Sequence, residues 1–214
     1  MGEQVFSNEN TGVIVVDVQA DFTELKSGTL AVPGTDVQYL EAVETATRQI
    51  LQQGLPVYFT QDWHPADHVS FFTNNPGTEP LQVIEVDRRP QVMWPPHCVQ
   101  NTSGAEILVA APGPTKRVRK GMDPKFDSYS GFADDGGRKT EMDNLLRQDG
   151  IKNLIIYGLA TDYCVKATAI DAVDAGYKVT VIEGLSKGVA PETTAQALED
   201  MKAKGIIVKA DLDV

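Results

Sequence analysis

Short strand-like runs alternate with stretches of helical periodicity along this chain of 214 residues. Several of the runs consist of β-branched and other apolar residues, which is typical of strands buried on both faces of a parallel sheet. The pattern predicts an α/β fold: a doubly wound, mainly parallel six-stranded sheet with helices on both faces. The predicted strands cover residues 13–18, 57–60, 117–120, 154–157, 178–182 and 206–208, and the predicted helices cover residues 37–53, 140–149, 162–176 and 191–204.

The composition is that of an ordinary soluble globular protein, with 42% hydrophobic and 23% charged residues. We expect one domain over residues 1–214, because this length can fill one core and no stretch resembles a linker. A net charge of −11 argues against a nucleic-acid partner and favours a small-molecule substrate. The sequence leaves a homo-oligomer possible.

Three features bear on location. No apolar run approaches the roughly 18 residues of a membrane span, and residues 1–10 are polar, unlike a signal peptide. The chain also has only two cysteines, too few for a disulfide framework. We therefore expect a cytoplasmic protein that does not bind a membrane.

Chemically capable side chains stand at or just beyond the ends of four predicted strands. They are Asp17, the pair Asp62 and His64, Lys120, and Cys164. Ligands of open α/β sheets bind outside the carboxyl ends of the strands. We therefore expect these side chains to meet along one edge of the sheet.

Cys164 is predicted to lie in the first turn of a helix that directly follows a buried strand. The helix dipole and the unpaired N–H groups there favour a thiolate, so we expect a lowered pKa and a reactive thiol. The alternative is a small core residue, which is what free cysteines usually are.

All three histidines fall between His64 and His97. Asp62, His64 and His97 form a two-histidine, one-carboxylate set, which suits a divalent metal ion such as zinc, iron or manganese. His68 is a further possible ligand, or a support for the others. Cys98 should point away from His97 and pack, because neighbouring side chains in extended chain alternate. Between His68 and His97, residues 73–92 are predicted to be a loop over the site.

The order and spacing of these motifs resemble the nicotinamidase/pyrazinamidase branch of the isochorismatase-like cysteine hydrolases. The matching segments run along nearly the whole chain and are far more specific together than singly. They are residues 16–22 (VDVQADF), 62–65 (DWHP), 94–99 (WPPHCV), 120–121 (KG), 129–132 (YSGF) and 160–165 (ATDYCV).

The resemblance implies an amidohydrolase that converts nicotinamide, and also pyrazinamide, in NAD salvage. It implies a catalytic triad of Asp17, Lys120 and Cys164, with a thioester on the cysteine. Further implied roles are one divalent metal ion, zinc before iron or manganese, on Asp62, His64 and His97; an oxyanion hole from the N–H groups of Ala160 and Cys164, with a cis peptide between Leu159 and Ala160; and a substrate pocket walled by Phe22, Trp94 and Tyr129.

Two positions depart from the family pattern, which often has asparagine at Ala20 and a glycine pair near residues 26–28. Neither departure removes a reacting group. Other functions fit less well. Isochorismate-type hydrolysis needs no thiol, metal-free carbamoyl-amide hydrolases need no histidines, a silent binding protein needs no complete triad, and a redox pair would favour Cys-x-x-Cys spacing.

Overall fold

A computed structural model describes residues 10–212 of the chain. The prediction for residues 1–10 therefore lies, except for Asn10, outside the described residues. The main sheet is the predicted one, with six strands that all pair in parallel. Its strands are β1 (Thr11–Val16), β2 (Val57–Asp62), β5 (Thr115–Lys120), β6 (Asn153–Gly158), β7 (Lys178–Ile182) and β8 (Ile207–Lys209), and their spatial order is β5-β2-β1-β6-β7-β8.

Four α-helices connect these strands: α1 (Val37–Gln52), α2 (Met142–Gln148), α3 (Lys166–Asp174) and α4 (Pro191–Ala203). The start of α1 shows why the sequence folds this way locally. The side chain of Asp36 caps the helix by accepting the N–H of Tyr39 at 2.9 Å. Within residues 10–212 we find no helix with the length and apolar character needed to cross a membrane.

The core lies on both faces of the sheet, and β1 contributes to both. Val13 and Val15 pack into one cluster with residues of α1. Ile14 and Val16 pack into the other, with residues of α2, α3 and α4. Successive side chains of a strand point to opposite faces, so an unbroken apolar run is what a doubly covered strand requires.

The prediction of a loop over residues 73–92 is wrong in part. This segment contains an antiparallel hairpin of β3 (Val83–Val86) and β4 (Arg89–Val92). Its two-residue turn, Asp87 and Arg88, has positive φ at both positions. Hairpin turns of this kind usually have Asn-Gly or Asp-Gly, so Asp-Arg does not predict one. Pro90 lies within β4, and a proline in the sequence argues against a strand at that position.

Candidate active site and metal centre

The strand ends predicted to carry reactive side chains are neighbours in the sheet. Asp62 ends β2 and pairs in register with Lys120, which ends β5. Asp17 directly follows β1, and Cys164 lies beyond β6 in the turn that leads into α3. The fold therefore brings these four side chains to one edge, as the rule for parallel sheets predicts.

Lys120 is the centre of a buried ionic group at this edge. Its Nζ lies 3.0 Å from Asp17 Oδ2, 2.5 Å from Asp62 Oδ1 and 3.5 Å from Cys164 Sγ. It also donates to the carbonyl of Ser128 at 2.7 Å. Burial lowers the pKa of Lys120, but Asp17 and Asp62 outweigh it and raise the pKa well above its ordinary value. The lysine is therefore a fixed positive charge beside the thiol.

Asp17 has one oxygen occupied and one available. The hydroxyl of Thr60 donates to Oδ1 at 2.6 Å and accepts the Asp17 N–H at 3.1 Å. Oδ2 is paired in charge with Lys120 but accepts no hydrogen bond from any of residues 10–212. Burial raises the pKa of Asp17, against the opposing charge of Lys120. An open carboxylate oxygen near the thiol has the position and the basicity of a general base.

The expected lowering of the Cys164 pKa is wrong for this site. Burial raises the pKa of the thiol well above its usual value; Lys120 lowers it, and the charges of Asp17 and Asp62 raise it further. Burial and the two carboxylates therefore raise the pKa by more than the N-terminus of a helix would lower it. The resting cysteine is therefore a thiol, and its reactivity requires a base.

The turn that carries Cys164 is tied down on both sides. Residues Thr161–Val165 form a single wide π-helical turn before α3, and the N–H groups of Tyr163 and Val165 donate to the carbonyl of Ala160. The Thr161 N–H donates to the carbonyl of Lys187 at 2.9 Å. The cis peptide implied between Leu159 and Ala160 is present. The backbone hydrogen bonds of Thr161, Tyr163 and Val165 hold this turn and so fix the direction of the sulfur.

A second group, Asp62, His64 and His97, brings its ligand atoms within 4.8 Å of one another. His64 Nδ1 lies 2.9 Å from the Gly121 carbonyl, and His97 Nδ1 lies 2.7 Å from the Pro95 carbonyl. A carbonyl can only accept, so each Nδ1 carries the proton and each Nε2 keeps its lone pair. This is the usual support of metal-binding histidines, and the donor set fits a divalent metal ion.

The charge states of His97 and Asp62 agree with this interpretation; burial lowers the pKa of His64, but the neighbouring Asp62 outweighs it and raises that pKa above its ordinary value. Burial, with the neighbouring His64, lowers the pKa of His97 to about 4, so its ring is neutral at neutral pH. Burial raises the pKa of Asp62, but Lys120 and His64 together lower it below its ordinary value. Metal ligands must be deprotonated, and both residues meet that requirement.

His68, which the sequence offers as a possible ligand, does not belong to this group. Its Nε2 lies 3.1 Å from the Phe126 carbonyl and therefore donates. Its Nδ1 accepts from Ser70, whose hydroxyl is 2.8 Å away. Both ring nitrogens are thus engaged, but the ring packs 4.3 Å from that of His64. The geometry assigns His68 the supporting place.

The pocket above the two groups is walled by aromatic side chains. Phe22, Trp94 and Tyr129, the three predicted wall residues, all line it, and the Trp94 indole N–H donates to the Tyr129 hydroxyl at 3.1 Å. Cys164, Ala160 and two members of the metal-binding group, Asp62 and His97, also reach it; the other lining residues are Leu30, Val32, Asp127, Ser128, Tyr163 and Val189. Cys98, by contrast, is buried in the core, as predicted.

Sequence reasoning missed several residues that hold the site together. Gln19 bonds both backbone groups of Asp62, donating to its carbonyl at 2.9 Å and accepting its N–H at 2.8 Å. Thr60 supports Asp17, and Asp127 lines the pocket. Gln19 lies in the family-like segment 16–22, so the sequence could have indicated it. Nothing in the sequence marks the other two.

The neighbouring departure from the family pattern leaves this support intact. Ala20 is buried in a short turn, and its N–H donates to the carbonyl of Glu106 at 2.9 Å. The contacts from Gln19 to Asp62 and from Thr60 to Asp17 do not involve the Ala20 side chain. The alanine therefore removes no contact within either buried group.

Comparison with known proteins gives matches along almost the whole chain. The sequence profile of the isochorismatase domain matches residues 11–210. A nicotinamidase of Escherichia coli (strain K12) is 43% identical over 201 residues, which cover 90% of this chain and 91% of that protein.

Solved structures agree. The nicotinamidase/pyrazinamidase of Acinetobacter baumanii is 37% identical with a TM-score of 0.85, and the match covers 94% of this chain and 95% of that one. The pyrazinamidase of Pyrococcus horikoshii, solved in complex with zinc, is 37% identical with a TM-score of 0.79, covering 94% and 98%. With this sheet and a profile match over residues 11–210, the chain belongs to the isochorismatase family of hydrolases.

Proposed function

We propose that the protein is a nicotinamidase that hydrolyses nicotinamide to nicotinate and ammonia, and that it also accepts pyrazinamide. The observation that carries the proposal is the buried Lys120, which contacts Asp17, Asp62 and the Cys164 thiol beneath an aromatic pocket. Relatives with matching folds are named nicotinamidase or pyrazinamidase. The site supplies a nucleophile, a base and a flat apolar slot for a pyridine ring.

Proton transfer starts the reaction. Asp17, whose Oδ2 accepts no hydrogen bond from residues 10–212, takes the proton of the Cys164 thiol. Lys120 stabilises the thiolate that results. The sulfur attacks the carboxamide carbon, and the carbonyl oxygen becomes an oxyanion. We assign its stabilisation to the N–H groups of Ala160 and Cys164, where each such donor typically contributes about 3 kcal/mol.

Collapse of this intermediate completes the first half. The carbon–nitrogen bond breaks, Asp17 gives its proton to the leaving amine, ammonia departs, and a thioester to Cys164 remains. Asp17 then takes a proton from a water molecule, which attacks the thioester. The carbon–sulfur bond breaks, nicotinate leaves, and the cysteine recovers its proton. The Lys120 ammonium offsets negative charge in each of these steps, because it is buried and paired with Asp17 and Asp62.

Asp62, His64 and His97 would hold one divalent ion, for which we propose zinc, with iron and manganese as alternatives. The buried charges support this, since three carboxylates, Asp17, Asp62 and Asp127, and one ammonium, Lys120, are buried within residues 10–212. A divalent cation would offset the excess of negative charge. When bound, the ion would act as a Lewis acid toward the ring nitrogen of the substrate. Phe22 and Trp94 would then enclose the ring between them.

The test is ammonia release from nicotinamide by protein stripped of metal and then reloaded with zinc, iron or manganese. We expect release that depends on the metal, with nicotinate formed in equal amount. Release from another amide but not from nicotinamide would keep the cysteine chemistry and change the substrate. No release from any amide would overturn the proposal and favour a binding protein on the same fold.

A further inference from the structure

Asp127 is a buried carboxylate that belongs to neither the nucleophile group nor the three metal-binding residues. It lines the pocket together with residues of both groups. It is outside the set of side chains whose atoms converge for a metal ion. Burying a carboxylate is costly unless the charge is hydrogen-bonded. The partners of Asp127 therefore indicate its role.

One partner lies in the hairpin. Gln91, a buried residue of β4, donates its Nε2 to Asp127 Oδ2 at 2.8 Å. The same amide donates to the carbonyl of Val92 at 2.9 Å, which fixes its orientation. β4 continues directly into Trp94, three residues after Gln91. The bond to Asp127 therefore anchors the strand from which the pocket's tryptophan extends.

A second partner lies in the aromatic wall. The Tyr129 hydroxyl accepts the indole N–H of Trp94 at 3.1 Å, so its own proton is left to donate elsewhere. Burial raises the pKa of Tyr129 well above its ordinary value, and the nearby Asp127 carboxylate, which can accept the hydroxyl proton, raises that pKa further. The other carboxylate oxygen, Oδ1, accepts the Ser128 N–H at 2.9 Å, which holds the carboxylate in place. Asp127 thus orients Tyr129, and Tyr129 orients the Trp94 ring.

We propose that Asp127 is a positioning residue that ties the β3–β4 hairpin, through Gln91, to the aromatic wall, through Tyr129, and so fixes Trp94 for the pyridine ring. The inference deepens the proposed function and rests on it. Asp127 does not touch the reacting atoms in this role. Its loss should weaken capture of the ring and leave the steps at Cys164 nearly unchanged.

The main test is Asp127→Asn, assayed for kcat and KM with nicotinamide. We expect KM to rise about tenfold and kcat to stay within about threefold, because one charged hydrogen bond that acts on binding is lost. Gln91→Met keeps the size and removes only the hairpin tie, so it serves if the first variant fails to fold, and its KM should rise by a smaller factor. Glu85→Gln is the matched control, since it removes an exposed carboxylate from the same hairpin and should leave both constants unchanged.

A second readout needs no turnover. In a Trp63→Phe background, Trp94 is the sole tryptophan, and Asp127→Asn and Tyr129→Phe should each shift its emission. Combining the two substitutions should change emission and KM by less than the sum of the single effects, because both act through one hydroxyl. A merely structural role predicts additive effects.

Each result decides the inference. An unchanged KM, a fall in kcat alone, an equal loss in Glu85→Gln, or additive effects would overturn it. If the parent protein releases no ammonia from nicotinamide, the proposed function fails. The emission of Trp94 then decides the role of Asp127 separately: a shift in Asp127→Asn supports it, and unchanged emission overturns it.

Discussion

Two buried polar groups share Asp62 and differ in how they are completed. In the nucleophile group, Lys120 contacts Asp17, Asp62 and Cys164 directly, so its ion pairs form between protein atoms. In the metal-binding group, the Nδ1 atoms of His64 and His97 are bonded to backbone carbonyls, and the ligand atoms of both rings converge with Asp62, whose Oδ2 lies 3.6 Å from His64 Nε2. The first group is completed by folding, whereas the second is arranged for a cation.

The backbone explains the difference. The nucleophile group comes from the ends of four adjacent strands, whose register the sheet fixes. The metal-binding group takes its histidines from the segment after β2, where an isolated bridge joins His64 to Val99 and another joins Phe71 to Trp94. Isolated bridges and turn hydrogen bonds, in place of a continuous strand ladder, hold this segment, and metal ligation should stabilise it further by binding the folded state alone.

Cys164→Ala should produce the largest effect, because it changes the nucleophile group and leaves the metal-binding residues in place. We expect nicotinamide turnover to fall by about a thousandfold or more, since the nucleophile is removed. One equivalent of metal should remain, because the metal-binding residues keep their contacts. Ammonia assays and elemental analysis of the same sample measure both quantities.

Cys98→Ala is the matched control for that variant. Cys98 is buried in the core beside His97, away from the pocket. It should retain activity and lose about 1 kcal/mol of the free energy of unfolding, as small core truncations do. Full activity in Cys164→Ala, or an equal loss in Cys98→Ala, would show that Cys164 is not the nucleophile.

His97→Ala should produce the next largest effect, and it changes the metal-binding group while leaving Asp17, Lys120 and Cys164 in place. With only Asp62 and His64 left, we expect metal affinity to fall by at least about a hundredfold, because ligand number and geometry set affinity. His68→Gln is the control, since both His68 nitrogens are bonded within the protein. It should keep one equivalent of metal. Equal metal loss in both variants would make His68 a ligand and contradict the tautomer argument.

The sequence predicted the parts of the molecule that regular patterns determine. β7 has the predicted bounds, and the ends of β1, β2, β5 and β6 place the reactive residues where the edge rule expects them. Apolar periodicity fixes strands, and parallel strands share one carboxyl edge. The fold and the convergence of Asp17, Asp62, Lys120 and Cys164 follow from these two facts.

What the sequence could not predict depends on contacts between distant segments. The raised pKa of Cys164 results from burial among carboxylates, which no helix pattern reveals. The exclusion of His68 depends on the Phe126 carbonyl, 58 positions away. The hairpin, Thr60 and Asp127 were missed for the same reason, because local pattern carries no information on which loop covers which strand. The roles assigned to the site residues stay proposals for the experiments above.

Gly121→Ala should have the smallest effect of the three, and it tests whether the metal-binding group depends on its support as well as its ligands. A Cβ at this position would lie 2.3 Å from Cε1 and 2.5 Å from Nδ1 of His64. The ring must therefore move, and its bond to the Gly121 carbonyl is strained or lost. Loss of such support typically lowers metal affinity by about 10- to 100-fold.

Gly137→Ala separates this contact from the backbone cost of the substitution. Gly137 also has positive φ, +84° against +66° at Gly121, but a Cβ there meets nothing within 4 Å. Both variants should lose about 1 kcal/mol of the free energy of unfolding, because alanine disfavours positive φ. Metal titration should then show weaker binding in Gly121→Ala alone. Equal metal affinity in the two variants would mean that the His64 ring tolerates displacement, and that the metal-binding group is held by its ligands without the fixed orientation that the Gly121 carbonyl provides.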